Sequence, residues 1–362
     1  MAIKFLIPQL SQPRCIKRVK ALQSAGYETV VYGFDNGLYS ENISEIGGEV
    51  HRLEMEKGLS RLKSLRRKLF CVKEFCKSLR KEDVVYIFGI EMALIYCLFF
   101  KCNKVIYEQA DLNYTKLSMK WLVTIFKSLD KWLIKKSKLT VLTSQGFIDY
   151  LFGENNTAEN IVLVENKVNS KLYNFDVNEK ELSAKHLKFG FVGLVRYPRT
   201  LLTFAKTIGN YFPQHEFHFY GVGESSPQAL ELCEKYSNLY YHGAFKNPDD
   251  LASIYSQIDI CVVCYDATSL NVRIAEPNKL YESIFFRTPI IVSDGTFLAK
   301  KVENLGVGYY VDASDENKVK NLVESLTNED VNSRIQNMKK ISKDLLFDNP
   351  QTIVNAVEKL LI

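Results

Sequence analysis

The 362-residue sequence lacks several features, and each absence excludes a class of protein. No apolar run approaches the roughly 18 residues that a membrane-spanning helix needs. The most apolar stretch, Met92–Phe100, stops at Lys101. Residues 1–8 have neither the charged start nor the long apolar core of a secretory signal, so reduced thiols and a cytoplasmic location are expected. There is no Asp-x-Asp, hence no obvious carboxylate pair for a metal-bound diphosphate. The histidines (His51, His186, His215, His218 and His242) form no zinc-type spacing, and no metal site is expected. No Gly-x-Ser-x-Gly elbow, Walker loop, short-period repeat or low-complexity tract occurs. Cysteine is present eight times without a disulfide-framework pattern. Cys261-Val-Val-Cys264 lies inside the strand-like run ICVVCY, has no second pair, and reads as structural.

What is present is a globular composition, 46% hydrophobic and 25% charged, in a chain long enough for two ordinary domains. Short apolar runs alternate with helical patterns. Strands are expected at 3–8, 27–34, 49–53, 84–89, 104–107, 139–144 and 161–166. After a polar, poorly patterned stretch the alternation restarts, at 187–193, 216–223, 239–243, 259–265, 288–294 and 307–312. Helices are expected at Arg14–Ala25, Ser60–Arg80, Lys116–Lys136, 145–152, Arg199–Tyr211, 226–236, 315–326, 329–346 and Pro350–Leu361, with a short one between the strands at 84–89 and 104–107. Such alternation predicts an α/β protein of two doubly wound, Rossmann-like parallel-sheet domains facing a cleft. The expected domains are 1–168 and 187–346, joined by a linker at 169–186. Ligands of such sheets sit beyond the carboxyl ends of the strands.

The charge is concentrated. Residues 57–81 carry ten Lys/Arg and one acid, Glu74, and residues 116–138 carry seven Lys and one acid, Asp130. Both stretches interleave these charges with apolar residues at three- and four-residue spacing. They predict two basic amphipathic helices and contact with an anionic membrane surface. Packing of the apolar stripes on the sheet is the plainer alternative. With a net charge of only +5 and no nucleic-acid module, no nucleic-acid partner is expected.

Three constellations could carry chemistry. Glu276–Ser293 reads as a short helix, a tight turn at Arg287–Thr288–Pro289 and a buried strand. Lys279 and Glu282 then share one helix face and can grip one polar ligand; a surface ion pair has the same spacing. The loop Gly193-Leu-Val-Arg196-Tyr-Pro-Arg199 ends a strand, carries two cations and precedes a helix, which suits an anion. Gly221-Val-Gly223 ends the next strand, a weak sign taken alone. In the first half, Glu108 and Asp111 lie at a strand's carboxyl end, where carboxylates can orient or deprotonate a hydroxyl. Gln12 and Arg14 follow the first strand.

Together these parts resemble the GT-B-fold glycosyltransferases, particularly the retaining family-4 enzymes of bacterial surface and capsular polysaccharide assembly. Glu282-Ser-Ile-Phe-Phe-Arg-Thr-Pro289 is similar to the end of their nucleotide-sugar signature, in which this Glu grips the ribose. The signature's first Glu would fall at Ile274, and Glu276 is out of register. The run Pro277-Asn278-Lys279-Leu-Tyr-Glu282 resembles a divergent branch in which Asn278 and Lys279 help to hold the donor. Arg199 stands where a Lys of the family contacts the diphosphate. The family's Arg after the glycine is Leu194 here, with Arg196 as substitute. The Gly-Gly pair after the first strand is replaced by Gln9–Pro13. Residues 347–362 resemble the helix that returns to the N-terminal domain.

The resemblance implies sugar transfer from a UDP- or GDP-linked donor to a glycan or lipid-linked acceptor, without a metal or other cofactor. Gly193, Arg196, Arg199, Gly221, Gly223, Asn278, Lys279 and Glu282 would bind the donor; Asp111, Glu108 and Arg196 would serve catalysis. The chain would sit peripherally on the inner face of the cell membrane. A nucleotide-sugar 2-epimerase and a non-catalytic scaffold of the same fold are the competing readings.

Overall fold

The computed structural model describes residues 2–35, 43, 44, 46–54, 60–99, 104–177, 179–182 and 186–361. Residues 57–59 of the basic stretch and Cys102 therefore lie outside the described residues. Packing divides the chain into two units, Met1–Glu165 with Asn349–Ile362, and Asn166–Asp348.

The first unit holds the strands β1 (Ile3–Ile7), β2 (Thr29–Asp35), β3 (Glu49–Glu54), β4 (Val84–Phe88), β5 (Val105–Gln109), β6 (Leu139–Leu142) and β7 (Ile161–Leu163). They form one parallel sheet in the order β3-β2-β1-β4-β5-β6-β7. Every residue of β1 and β4 is buried, as a parallel sheet covered on both faces requires. Its helices include α1 (Pro13–Ser24), α2 (Arg61–Lys77), α3 (Ile90–Phe99), α4 (Lys120–Lys136) and α5 (Gln145–Phe152). Pro13 opens α1, where a missing N–H costs nothing, and Gly26 at φ +87° follows its end. Phe5, Tyr86 and Ile106 pack with Cys15, Val19 and Leu22 of α1 on one face. On the other, Leu6, Val85 and Ile87 pack with residues of α2, α3, α4 and α5.

The second unit repeats the plan with β8 (Lys188–Val192), β9 (Glu216–Tyr220), β10 (Leu239–Gly243), β11 (Ile260–Val263), β12 (Ile290–Ser293) and β13 (Gly308–Val311). The parallel order is β10-β9-β8-β11-β12-β13. Its helices are α6 (Thr203–Tyr211), α7 (Ser226–Lys235), α8 (Leu251–Gln257), α9 (Leu270–Ile274), α10 (Lys279–Phe285), α11 (Phe297–Leu305), α12 (Glu316–Ser325) and α13 (Asn328–Lys339). The last helix, α14 (Pro350–Leu361), belongs to the first unit, where Ile353, Val354 and Val357 join the α1 face of the core. In both units the strand order reverses beside the first strand, at β1/β4 and at β8/β11, where such sheets open a ligand crevice.

Three local differences from the sequence reading stand out. Residues 169–177 and 179–182 are not a loose linker. Leu172, Val177 and Leu182 pack into the second unit, and the Asn332 side chain pairs with both backbone groups of Leu182 at 2.8 Å. These apolar residues follow neither a two- nor a 3.6-residue period, so the pattern did not reveal them. The helices α8, α9 and α11 were not expected. Each is nine residues or fewer, too short to stand without tertiary packing. Finally, α13 stops at Lys339, and Leu346 and Phe347 turn back into the core.

Candidate functional site

The second unit assembles its constellation at the β8/β11 switch point. β8 ends in Gly193, and the loop that follows keeps pairing with the loop after β9. Gly193 N donates to Tyr220 O at 2.9 Å, Val195 N to Val222 O at 3.2 Å, and Ser225 N to Val195 O at 3.0 Å. This approach explains two glycines. A Cβ on Gly221 (φ +134°) would lie 1.7 Å from Gly193 O, and one on Gly223 would lie 2.2 Å from Val195 O. Gly221 and Gly223 thus let two backbones meet and set the shape of the loop after Gly193. Tyr197 takes a left-handed backbone at φ +68°, unusual for a tyrosine, and opens a wide turn at Pro198–Leu202. Its ring lies 4.9 Å from that of Tyr265 at the end of β11, while Thr200 Oγ1 donates to Cys264 O at 2.6 Å. The loop is therefore tied to both strands of the switch point.

Arg196 lies over the Tyr197 ring at 5.7 Å. Arg199 is exposed, 4.0 Å from Asp266. Leu194 is also exposed on this loop, as is Val222 on its neighbour.

α10 brings its polar groups inward rather than to the surface. Lys279 and Glu282 are 5% and 2% exposed, and Lys279 Nζ donates to Glu282 Oε2 at 2.5 Å. A surface pair, the plainer reading of that spacing, is excluded by this burial. Asn278, just before the helix, donates to Glu282 Oε1 at 2.6 Å, and Tyr255 of α8 donates to Oε2 at 3.1 Å. The Lys279 side chain also passes Gly193: a Cβ there would lie 3.8 Å from Lys279 Cε. Gly193, Asn278, Lys279 and Glu282 are thus brought together, with Arg196 and Arg199 on the same loop. Arg287 at φ +54° turns the chain from α10 into β12.

Sequence reasoning missed Tyr197, Tyr255 and the role of Glu276. Glu276 is buried; its Oε1 accepts from the Tyr281 hydroxyl and from Lys301 Nζ at 2.5 Å, while Oε2 is buried without a hydrogen-bond partner. Tyr281 sits five residues along and Lys301 25, so no local spacing could signal the cluster. Cys261 and Cys264 are fully buried, and burial pushes both thiols up, which makes them inert core residues.

In the first unit the two carboxylates after β5 part company. Glu108 is 1% exposed on the α1 face; its Oε2 accepts from Tyr86 Oη at 2.6 Å and Arg18 Nε at 3.2 Å. Its Oε1 is buried without a partner. Asp111 is exposed on the loop beyond. Gln12 precedes α1, and its Oε1 accepts from Cys15 Sγ at 3.5 Å; Arg14 is half-buried.

A further carboxylate, Asp130 of α4, is fully buried. It accepts from Tyr107 Oη at 2.7 Å and from Tyr114 Oη at 3.1 Å, and burial pushes it up to about 6. Its place was legible: Asp130 falls on the apolar stripe, four residues after Phe126 and three before Leu133. α2, α3 and α4 cover the same sheet face; Leu62, Phe70, Trp121, Ile125 and Trp132 stand exposed on α2 and α4, which also carry lysines and arginines, and Leu98 stands exposed on α3, whose one charge is Glu91. No described helix is long and apolar enough to cross a membrane. Among the described residues, no group of three or more His, Cys, Asp or Glu could hold a metal ion.

Known proteins share this plan. Residues 186–329, most of the second unit, match the family described as Glycosyl transferases group 1. The succinoglycan biosynthesis protein ExoL of Rhizobium meliloti (strain 1021) is 22% identical over 355 residues, covering 90% of this chain and 85% of that protein. The sucrose-phosphate synthase of Thermosynechococcus elongatus superposes with a TM-score of 0.72 at 15% identity, over 99% of this chain and 98% of the other. Anabaena HepE, solved with UDP and glucose, does so with a TM-score of 0.72 at 13% identity, over 99% of each chain. The β8–β13 sheet thus carries most of a domain that matches the group 1 glycosyltransferases, and the chain as a whole, with a second parallel sheet of the same winding, has the two-sheet fold of these solved structures.

Proposed function

We propose that the enzyme transfers a sugar from a nucleoside-diphosphate sugar, UDP- or GDP-linked, to a glycan or lipid-linked acceptor in polysaccharide assembly, with retention and without a metal. The observation that carries this reading is the buried Lys279–Glu282 pair beside Gly193 at the β8/β11 switch point. A carboxylate in such a place suits ribose hydroxyls. The Arg196 and Arg199 guanidiniums and the Lys279 ammonium suit a diphosphate whose charge grows as the glycosidic bond breaks. The acceptor oxygen bonds the anomeric carbon, the carbon–oxygen bond to the diphosphate breaks, and the proton ends on the diphosphate. Asp111, exposed on the loop after β5, orients the acceptor; Glu108 acts from beneath the surface by holding Arg18 and Tyr86. The complex of HepE with UDP and glucose and the name of ExoL support donor and pathway class by likeness.

The same reading places the enzyme on an anionic membrane surface from the cytoplasmic side. Its support is the outer sides of α2 and α4, on the same face of the sheet, where lysines and arginines accompany exposed Phe70, Trp121 and Ile125. A saturation-transfer NMR screen over a nucleotide-sugar panel tests the donor. Binding of one UDP- or GDP-sugar, lost in Glu282→Ala, is the expected result, and no binding to any member would refute the reading.

A further inference from the structure

Glu282 does not stand alone in its pocket. Its Oε2 takes two donors, Lys279 Nζ at 2.5 Å and Tyr255 Oη at 3.1 Å. Lys279 is three residues away on the same helix, so it moves with Glu282. Tyr255 is the donor that comes from another element, α8. It is 1% exposed, its ring stacks on Phe286 at 4.7 Å and 14°, and its hydroxyl also lies 3.9 Å from Cys261 Sγ. Burial raises its ionisation well above the ordinary tyrosine range, so the hydroxyl keeps its proton to donate.

The backbone of Tyr255 is held as firmly as its ring. Lys180, from the segment before β8, donates from Nζ to Ile258 O, to Tyr255 O at 3.5 Å and to Thr288 Oγ1 at 3.2 Å. One ammonium therefore joins the end of α8 to the turn that closes α10. The tyrosine is fixed at both ends, and its free valence is aimed at the carboxylate.

We propose that Tyr255 is a positioning residue for donor recognition. It touches no ligand; it fixes the rotation of the Glu282 carboxylate so that the oxygen lone pairs left by Asn278, Lys279 and Tyr255 face the ribose. The inference rests on the donor-site reading above. A ligand without a ribose should be indifferent to it, because the diphosphate groups fall to Gly193, Arg196, Arg199 and Lys279, none of which the Tyr255 hydroxyl bonds, and Lys279 keeps its own bond to Glu282 when that hydroxyl is removed.

The test is calorimetric titration of the full chain with UDP, GDP and inorganic pyrophosphate. Tyr255→Phe should weaken the nucleotide that binds by roughly tenfold, the scale of one hydrogen bond to a charged group, and leave pyrophosphate unchanged. In a Glu282→Gln background the same change should cost nothing further, since the carboxylate it orients is gone. Equal weakening of nucleotide and pyrophosphate would mean a general packing effect and overturn the proposal. So would unchanged nucleotide affinity in Tyr255→Phe when Glu282→Gln is impaired. A wild-type chain that binds neither UDP nor GDP would instead sink the donor-site reading, and this inference with it. Should Tyr255→Phe fold poorly, Lys180→Met frees the same tyrosine from its backbone side and should show the same split between nucleotide and pyrophosphate.

Discussion

Removal of the Glu282 side chain separates what the buried pair does for stability from what it does for binding. Lys279 and Glu282 expose 6% and 3% of their side chains and lie 2.5 Å apart. In Glu282→Ala the Lys279 ammonium stays buried without its counter-charge, and Tyr255 Oη and Asn278 Nδ2 each lose their Glu282 acceptor. Breaking one side of a buried pair costs about 3–5 kcal/mol. Replacing both members with apolar residues, Lys279→Met with Glu282→Leu, removes the uncompensated charge and should restore most of that loss. Nucleotide binding should stay abolished in both variants.

The assay must see the second unit. Both tryptophans, Trp121 and Trp132, lie in the first unit, so tryptophan emission is blind to the change. Amide hydrogen exchange of 279–293 reads it directly. Glu282→Ala should exchange there roughly a hundredfold or more faster than wild type, and the double variant within about tenfold of it. If Glu282→Ala cost about 1 kcal/mol or less, the value of an exposed pair, the reasoning from burial would be refuted.

Other predictions concern both units. Asp130, pushed up to about 6 by burial against an ordinary 3.8, binds its proton more tightly folded than unfolded. Wild type should therefore gain stability over Asp130→Asn as pH falls from about 6 to 4, by up to about 3 kcal/mol, read by tryptophan emission during urea unfolding. An unchanged difference across that range would mean that Asp130 is not buried in solution. Gly221→Ala should separate the loops after β8 and β9, because its Cβ would collide with Gly193 O; loss of protection in 193–195 by hydrogen exchange checks it, and normal protection would refute the packing. Trp121→Ala combined with Ile125→Ala should cut co-sedimentation with vesicles containing anionic lipid several-fold. High salt should weaken what remains, and equal binding to neutral vesicles would argue against the basic face.

The sequence by itself determined the architecture. Thirteen short runs foreshadowed the strands of both sheets; the central ones are apolar at nearly every position, as a strand buried on both faces must be, while the edge runs at β3 and β10 are more polar, and that signal is local. It also marked Gly193, Lys279 and Glu282, since glycine at a strand end and a charged pair on one helix turn are visible within a few residues. Tertiary structure decided what those residues are. Burial turned Lys279–Glu282 from a candidate surface pair into a buried one, and it separated Glu108, inside, from exposed Asp111. It made the stretch before β8 a segment packed on the second unit. It supplied Tyr255 to Glu282 across 27 residues and Lys301 to Glu276 across 25. Local spacing encodes which face of an element is apolar. Which distant side chain completes a carboxylate's shell depends on the closing of the sheet and its helices, and short-range periodicity carries no record of that.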